Sequence, residues 1–172
     1  MVKKIPDSHL SALGAISVEF GRLEAVLITS ISDLLTFDIN DFESILLLVG
    51  GDSFDVLLTK LKKIFIYKLP DNKLVKDFEI IYKKLDAIRE ERNKYLHSYW
   101  TVTEKEGVVR SKFRKVPGKN NILTDRIKFD TMQLSDFIEK IKTTTQGLHD
   151  LIEEATQTII FNKVIQDAKE KH

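Results

Sequence analysis

LVKDFEIIYKKLDAIREERNKYLHSY, residues 74–99, carries an apolar row at Leu74, Phe78, Ile81, Leu85 and Ile88. Steps of three or four residues put these side chains on one face of an α-helix, which the sequence predicts from about Asn72 onward. The next positions on that line are Arg92, Leu96 and Tyr99. A permanent charge therefore stands where a core residue is due. Arginine is rarely buried without a partner, so Arg92 requires a carboxylate beside it, a bound anion, or an opening in the packing at that level. At about 100° per residue, Arg92 and His97 lie about 140° apart around a straight helix, whereas Arg89, Asn93 and His97 form an i, i+4, i+8 row. Arg92 and His97 thus flank Asn93. They can meet on one phosphate if the helix ends near His97, or if a second copy of the helix packs alongside.

Towards the N-terminus, Leu10, Leu13, Ile16, Phe20, Leu23, Leu27, Ile31 and Leu34 predict a first amphipathic helix from about Ser8 to Leu35, capped by Asp7 or Ser8. Gly14 and Gly21 lie inside it, where they would let a neighbouring helix come close. Asp38 to Asp52 reads as a short helical segment closed by the Gly50-Gly51 turn. Asp52 or Ser53 should then cap a helix through Phe54, Leu57, Leu58, Leu61, Ile64 and Phe65. Leu69-Pro70-Asp71-Asn72 stops that helix and starts the next, and so short a connection makes the two antiparallel neighbours.

Beyond Tyr99 the pattern changes. Trp100 to Thr103 and Val108 to Arg114 are β-type runs around Glu104-Lys105-Glu106-Gly107, a hairpin loop with glycine at its end. Arg110, Lys112 and Arg114 share one face of the second strand by two-residue alternation, a basic stripe beside the Arg–His pair. A loop over Lys115 to Asn121 follows, and Ile122 to Phe129 returns as another short strand. The last helix is expected from Asp130 or Thr131 to about Asp167, with a weak point at Thr143-Thr144-Thr145 and Gly147. The fold class is therefore all-α: an antiparallel four-helix bundle with a short β-hairpin and basic loop, about residues 99–129, inserted between the third and last long helices. One domain spanning residues 1–172 is expected.

With 172 residues and 42% hydrophobic content, the chain can bury a sizeable core. It has no cysteine, which excludes disulfides and thiolate metal sites. The N-terminal residues lack an apolar signal core, and Ile45 to Val49 is too short to span a bilayer, so a cytoplasmic location without membrane contact is expected. Charge is polarised: residues 1–50 hold three basic residues against seven acidic, net −4, while residues 108–128 hold seven basic against Asp125 alone, net +6. Such a cationic segment suits an anion-binding surface, because neutralised phosphates supply most nucleic-acid affinity. It also suits a solvated loop whose lysines keep it soluble. His9, His149 and His172 have no ligand neighbours at metal-site spacing, so no metal and no cofactor is expected. No phosphate-binding loop or serine elbow is present.

Arg92-Asn93-x3-His97, late in a helix of a small all-helical chain, resembles the motif of the HEPN superfamily, whose members are dimeric helical domains and in many cases metal-independent endoribonucleases. The likeness covers the helical framework of about 150 residues, and its specific part is the short motif. The continuation His97-Ser98-Tyr99 is similar to the form found in HEPN toxins paired with a nucleotidyltransferase-type antitoxin protein. The resemblance implies a homodimer with the two motif helices near its axis, RNA as substrate, and Tyr99 as a candidate for adenylylation. The alternative is a non-catalytic helical dimer that binds RNA, nucleotide or a partner protein.

The chemistry needs no metal. RNA carries its own nucleophile, the 2′-hydroxyl, so cleavage requires proton transfer and stabilisation of charge on the phosphate. Histidine, with a reference pKa of about 6.5, moves protons near neutral pH, and arginine makes paired bonds to phosphate oxygens. His97 would serve the 2′-hydroxyl or the leaving oxygen, Arg92 would hold the phosphate, and Asn93 would position the phosphate or the imidazole. Arg110, Lys112 and Arg114 would track the neighbouring backbone, with Tyr99 or Trp100 available to stack a base.

Overall fold

The computed structural model describes residues 4–35, 42–70, 73–115 and 122–170. Among them it has five helices, α1 (Asp7–Leu35), α2 (Phe42–Val49), α3 (Phe54–Lys68), α4 (Leu74–Leu96) and α5 (Thr131–Glu170), and three strands, β1 (Tyr99–Thr103), β2 (Gly107–Lys115) and β3 (Ile122–Lys128). The protein is mostly helical, with one small antiparallel sheet in the order β1-β2-β3 between α4 and α5. The inserted element is thus a full three-stranded meander. Residues 36–41 and 116–121, where the sequence places the start of the short helical segment and most of the basic loop, lie outside the described residues.

Two compact units are built from non-contiguous segments, residues 1–20 with 88–141 and residues 21–87 with 142–172. In the second, the apolar spacing of α1, α3 and α4 does what periodicity requires: Leu23, Leu27, Ile31, Leu34, Leu61, Phe65, Leu74, Phe78 and Leu85 are buried. The rings of Phe65 and Phe78 stack at 4.3 Å, and Lys62 reaches Glu79 at 2.8 Å. Contact of 65 with 78 and of 62 with 79 runs in opposite chain directions, so α3 and α4 are antiparallel, as the short connection requires.

Helix ends follow local chemistry in part: α1 begins at Asp7, and the Pro6 carbonyl accepts from the His9 and Leu10 N–H groups, so neither Asp7 nor Ser8 is its cap. Asp130 and Gln133 cap α5 reciprocally, Asp130 Oδ1 accepting from the Gln133 N–H at 2.9 Å and Gln133 Oε1 from the Asp130 N–H at 3.1 Å. Ser53 stands at the cap position of α3 without a side-chain hydrogen bond, and the Asp52 carboxylate is engaged by Lys60 at 2.5 Å. Neither expected cap acts; a lysine about two turns into the helix holds the Asp52 carboxylate. Gly14 and Gly21 also depart from expectation: a β-carbon at either would meet nothing within 4 Å, so neither marks a close helix approach. The threonine run and Gly147 do not interrupt α5.

The first unit is organised around the sheet. β1 and β2 pair with Tyr99 opposite Ser111 and Trp100 opposite Arg110, and β2 and β3 with Arg110 opposite Ile127 and Ser111 opposite Arg126. Gly107 closes the hairpin at φ 75°, a left-handed conformation that costs glycine little, and Thr103 Oγ1 accepts from the Glu106 N–H at 3.1 Å across the loop. Directly opposed residues share a face, so Trp100, Val108, Arg110 and Lys112 stand on one side and Tyr99, Val109, Ser111 and Phe113 on the other.

Candidate active site

The last turn of α4 is held by the sheet that follows it. A helix leaves its last four carbonyls without intrahelical donors. Here Asn93 O accepts the His97 N–H at 3.3 Å, Lys94 O accepts the Ser98 hydroxyl and Arg110 Nη1 (3.3 Å), and Tyr95 O accepts the Trp100 indole N–H at 3.0 Å. Arg110 Nη1 also donates to Ser98 Oγ at 3.2 Å, and Nη2 to Asp125 Oδ2 at 3.1 Å. A cation against the carbonyl end of a helix is favourable in its own right. His97 therefore sits in a turn fixed on both sides, exposed, and no hydrogen bond or ion pair to its imidazole is seen among the described residues.

Beneath the turn lies an aromatic cluster. Tyr95 is buried, with ring centroids 6.4 Å from Trp100, 5.3 Å from Phe129 and 5.0 Å from Phe137. The apolar line of α4 thus passes from Ile88 to Tyr95, seven residues on, and Arg92 falls at its half-buried margin. The requirement placed on Arg92 by the sequence is met by neither carboxylate nor opening alone. Its guanidinium carbon lies 4.7 Å over the Phe20 ring, and Nη1 donates to Asn93 Oδ1 at 3.1 Å, while Nε is sealed off without a partner among the described residues.

The Tyr95 hydroxyl donates to Glu91 Oε1 at 3.1 Å, and Lys140 approaches Glu91 Oε2 at 2.9 Å. Burial, followed by the Glu91 carboxylate and its hydrogen bond, pushes the Tyr95 phenol well above the ordinary tyrosine value. An unfolded tyrosine ionises near 10, so above about pH 10 the unfolded chain binds fewer protons than the folded one and stability falls as pH rises. Tyr95→Phe is expected to cost about 1 kcal/mol at pH 7 and to flatten the loss above pH 10, read from urea midpoints across that range.

The residues proposed from sequence are distributed unevenly. Arg92 and Asn93 meet directly, and His97 joins them through the main chain. Trp100 is not free to stack a base, since it packs on Tyr95 and Phe129 and its N–H is used. Arg110 is 2% exposed, with both terminal nitrogens engaged and Nε buried without a partner among the described residues, so the basic stripe is not a solvent-facing row. Its strand face packs under the end of α4, and backbone tracking by Arg110 would require pulling it out of that position. Lys112 is half-buried opposite Asp125, and the Arg114 backbone pairs with Leu123 while its side chain lies outside the described residues. Tyr99 is exposed.

Sequence reasoning missed Glu91, Tyr95, Phe113 and Lys140. Among the described residues, no group of three His, Asp or Glu side chains is placed to hold a metal ion, and no helix is long and apolar enough to cross a membrane. No protein-family model, no curated protein and no solved structure matches this chain.

Proposed function

We propose that this protein is a metal-independent endoribonuclease of HEPN type, working as a homodimer in which the four long helices form an antiparallel bundle and the two α4 helices lie near the dimer axis. The observation that carries the reading is the arrangement at the end of α4: a guanidinium hydrogen-bonded to the Asn93 amide, one turn before an exposed histidine in a braced turn. Arg92 Nε is sealed, so a phosphate would meet the Nη edge that also carries Asn93. There the guanidinium would offset the charge that grows on the non-bridging oxygens. His97 would take the 2′-hydroxyl proton or deliver one to the departing 5′-oxygen, and the 2′-oxygen would close on phosphorus as the P–O5′ bond breaks.

His97 has no orienting partner among the described residues, and a second copy of α4 would supply one, together with its own Arg92. As a toxin or defence protein, such an enzyme would have a nucleotidyltransferase-type antitoxin as partner, with Tyr99 as the acceptor of its modification. The test is incubation of purified protein with mixed-sequence RNA and with DNA of the same sequence in EDTA. RNA cut to 2′,3′-cyclic phosphate ends with DNA intact is the expected result. A folded dimer that binds RNA and leaves it whole would instead fit the non-catalytic reading.

A further inference from the structure

We infer that the outer face of the β1-β2-β3 sheet is a stacking surface for unpaired RNA bases, built on Tyr99 and Phe113. The inference rests on the RNA reading above and adds a second place of contact to it. By register, Tyr99 and Phe113 stand on the face opposite Arg110 and Trp100. They are 61% and 60% exposed, and their ring centroids are 6.5 Å apart at an interplanar angle of 50°. Single exposed apolar residues are ordinary on a protein surface. Two large rings side by side on one sheet face are less so, since the aromatic cluster of this unit is already complete on the other face with Tyr95, Trp100, Phe129 and Phe137.

The surroundings decide the occupant. Ser111 lies between Tyr99 and Arg126 in one cross-strand row, and Val109 pairs with Lys128 in the next. Ser111 and Val109 are covered, so the open part of this face is the pair of aromatic rings at one end and the two exposed cations, Arg126 and Lys128, along the β3 side. Arg126 is shared with Glu106 at 2.9 Å, with about half of each side chain still in solvent. Rings with adjacent cations match single-stranded nucleic acid, whose bases offer π-faces and whose phosphates offer charge. An apolar protein partner would have to desolvate Lys128 and Arg126 without return. A duplex keeps its base faces stacked inside, so the surface discriminates in favour of single strands. Tyr99 is two residues from His97, so a base seated on it lies near the proposed cut site and helps set which nucleotide is presented.

The probe is a fluorescein-labelled 2′-O-methyl oligoribonucleotide, which cannot be cut, with binding read by anisotropy. The single strand is expected to bind, and its duplex at least about 10-fold more weakly. Phe113→Ala and Tyr99→Ala should each weaken single-strand binding by about 5- to 100-fold, and Phe113→Trp should keep it. Sedimentation and circular dichroism on the same samples check that Phe113→Ala is folded and of unchanged oligomeric state. Wild-type affinity in a folded Phe113→Ala overturns the inference, as does failure of the wild type to bind. Dissociation of a dimer by Phe113→Ala at unchanged affinity overturns it too and makes the face a protein interface. Failure of the nuclease reading is separate: it leaves Phe113-dependent binding in place and removes only cleavage in EDTA.

Discussion

His97→Ala is expected to lower metal-independent RNA cleavage by about 10²- to 10⁴-fold, the range a positioned acid or base contributes. Stability should move by no more than about 0.5 kcal/mol, because the imidazole is exposed and the turn is held by groups that the substitution leaves alone. Those groups are the His97 main-chain N–H on Asn93 O, Ser98 and Arg110 on Lys94 O, and Trp100 on Tyr95 O. Activity and folding are thus separable at this position, which is seldom so for a buried catalytic group. The same variant also tests the composite site. If one chain supplies Arg92 and its partner His97, mixing His97→Ala with Arg92→Ala should restore cleavage, because half of the sites in a heterodimer regain both groups. If each chain uses its own pair, mixing restores nothing. Equal cutting by His97→Ala and wild type would remove His97 from the mechanism altogether.

Much of this arrangement was legible in the sequence, and the places where it was not have a common cause. The first helix, the α3–α4 pair, the hairpin with Gly107 and the third strand all follow from periodicity and turn chemistry, which are local. Alternation puts Arg110, Lys112 and Arg114 on one strand face, but it does not say which face is covered. Arg110 turned out to be inside because its face carries Trp100 and docks under α4. Two residues held the signal: Asp125 as the one carboxylate among the cations of 108–128, and Trp100 sharing the parity of the charges. Parity does not decide exposure on the other face either, where Val109 and Ser111 are buried and Phe113 is exposed. Past Arg92 the apolar row continues through Tyr95 and not through Leu96. Tyr95, seven residues after Ile88, takes the core position, and a cation at the margin is satisfied by a ring from α1 that no local pattern could announce.

The distinction between a helix cap and a salt bridge predicts how the Arg110 region comes apart. Arg110 is 2% exposed whereas the Asp125 side chain is 50% exposed, so the two ends of this ion pair are not equivalent. Removing Asp125 as Asp125→Asn leaves Arg110 with Lys94 O and Ser98 Oγ, keeps an amide oxygen in reach, and should cost less than about 1 kcal/mol, as half-solvated pairs do. Removing Arg110 is another matter. Arg110→Met preserves most of the volume but takes one of the donors from the carbonyl end of α4 and leaves Ser98 without its guanidinium, a loss of about 2–3 kcal/mol. Arg110→Ala adds a void beside Phe129, whose ring centroid is 5.8 Å from the guanidinium carbon, and brings the total to about 3–4 kcal/mol. Trp100 is the only tryptophan in the chain and is hydrogen-bonded to the same helix end, so its fluorescence in a urea titration reports this unit directly. Hydrogen exchange gives the functional consequence: in Arg110→Met the amides of His97 and Ser98 should exchange faster than those of α3, since the turn that carries the proposed catalytic histidine loses one of its braces. Should Asp125→Asn destabilise as much as Arg110→Met, the ion pair and not the capping of α4 would be the stabilising interaction, and His97 would owe its position to the sheet edge instead of to the helix end.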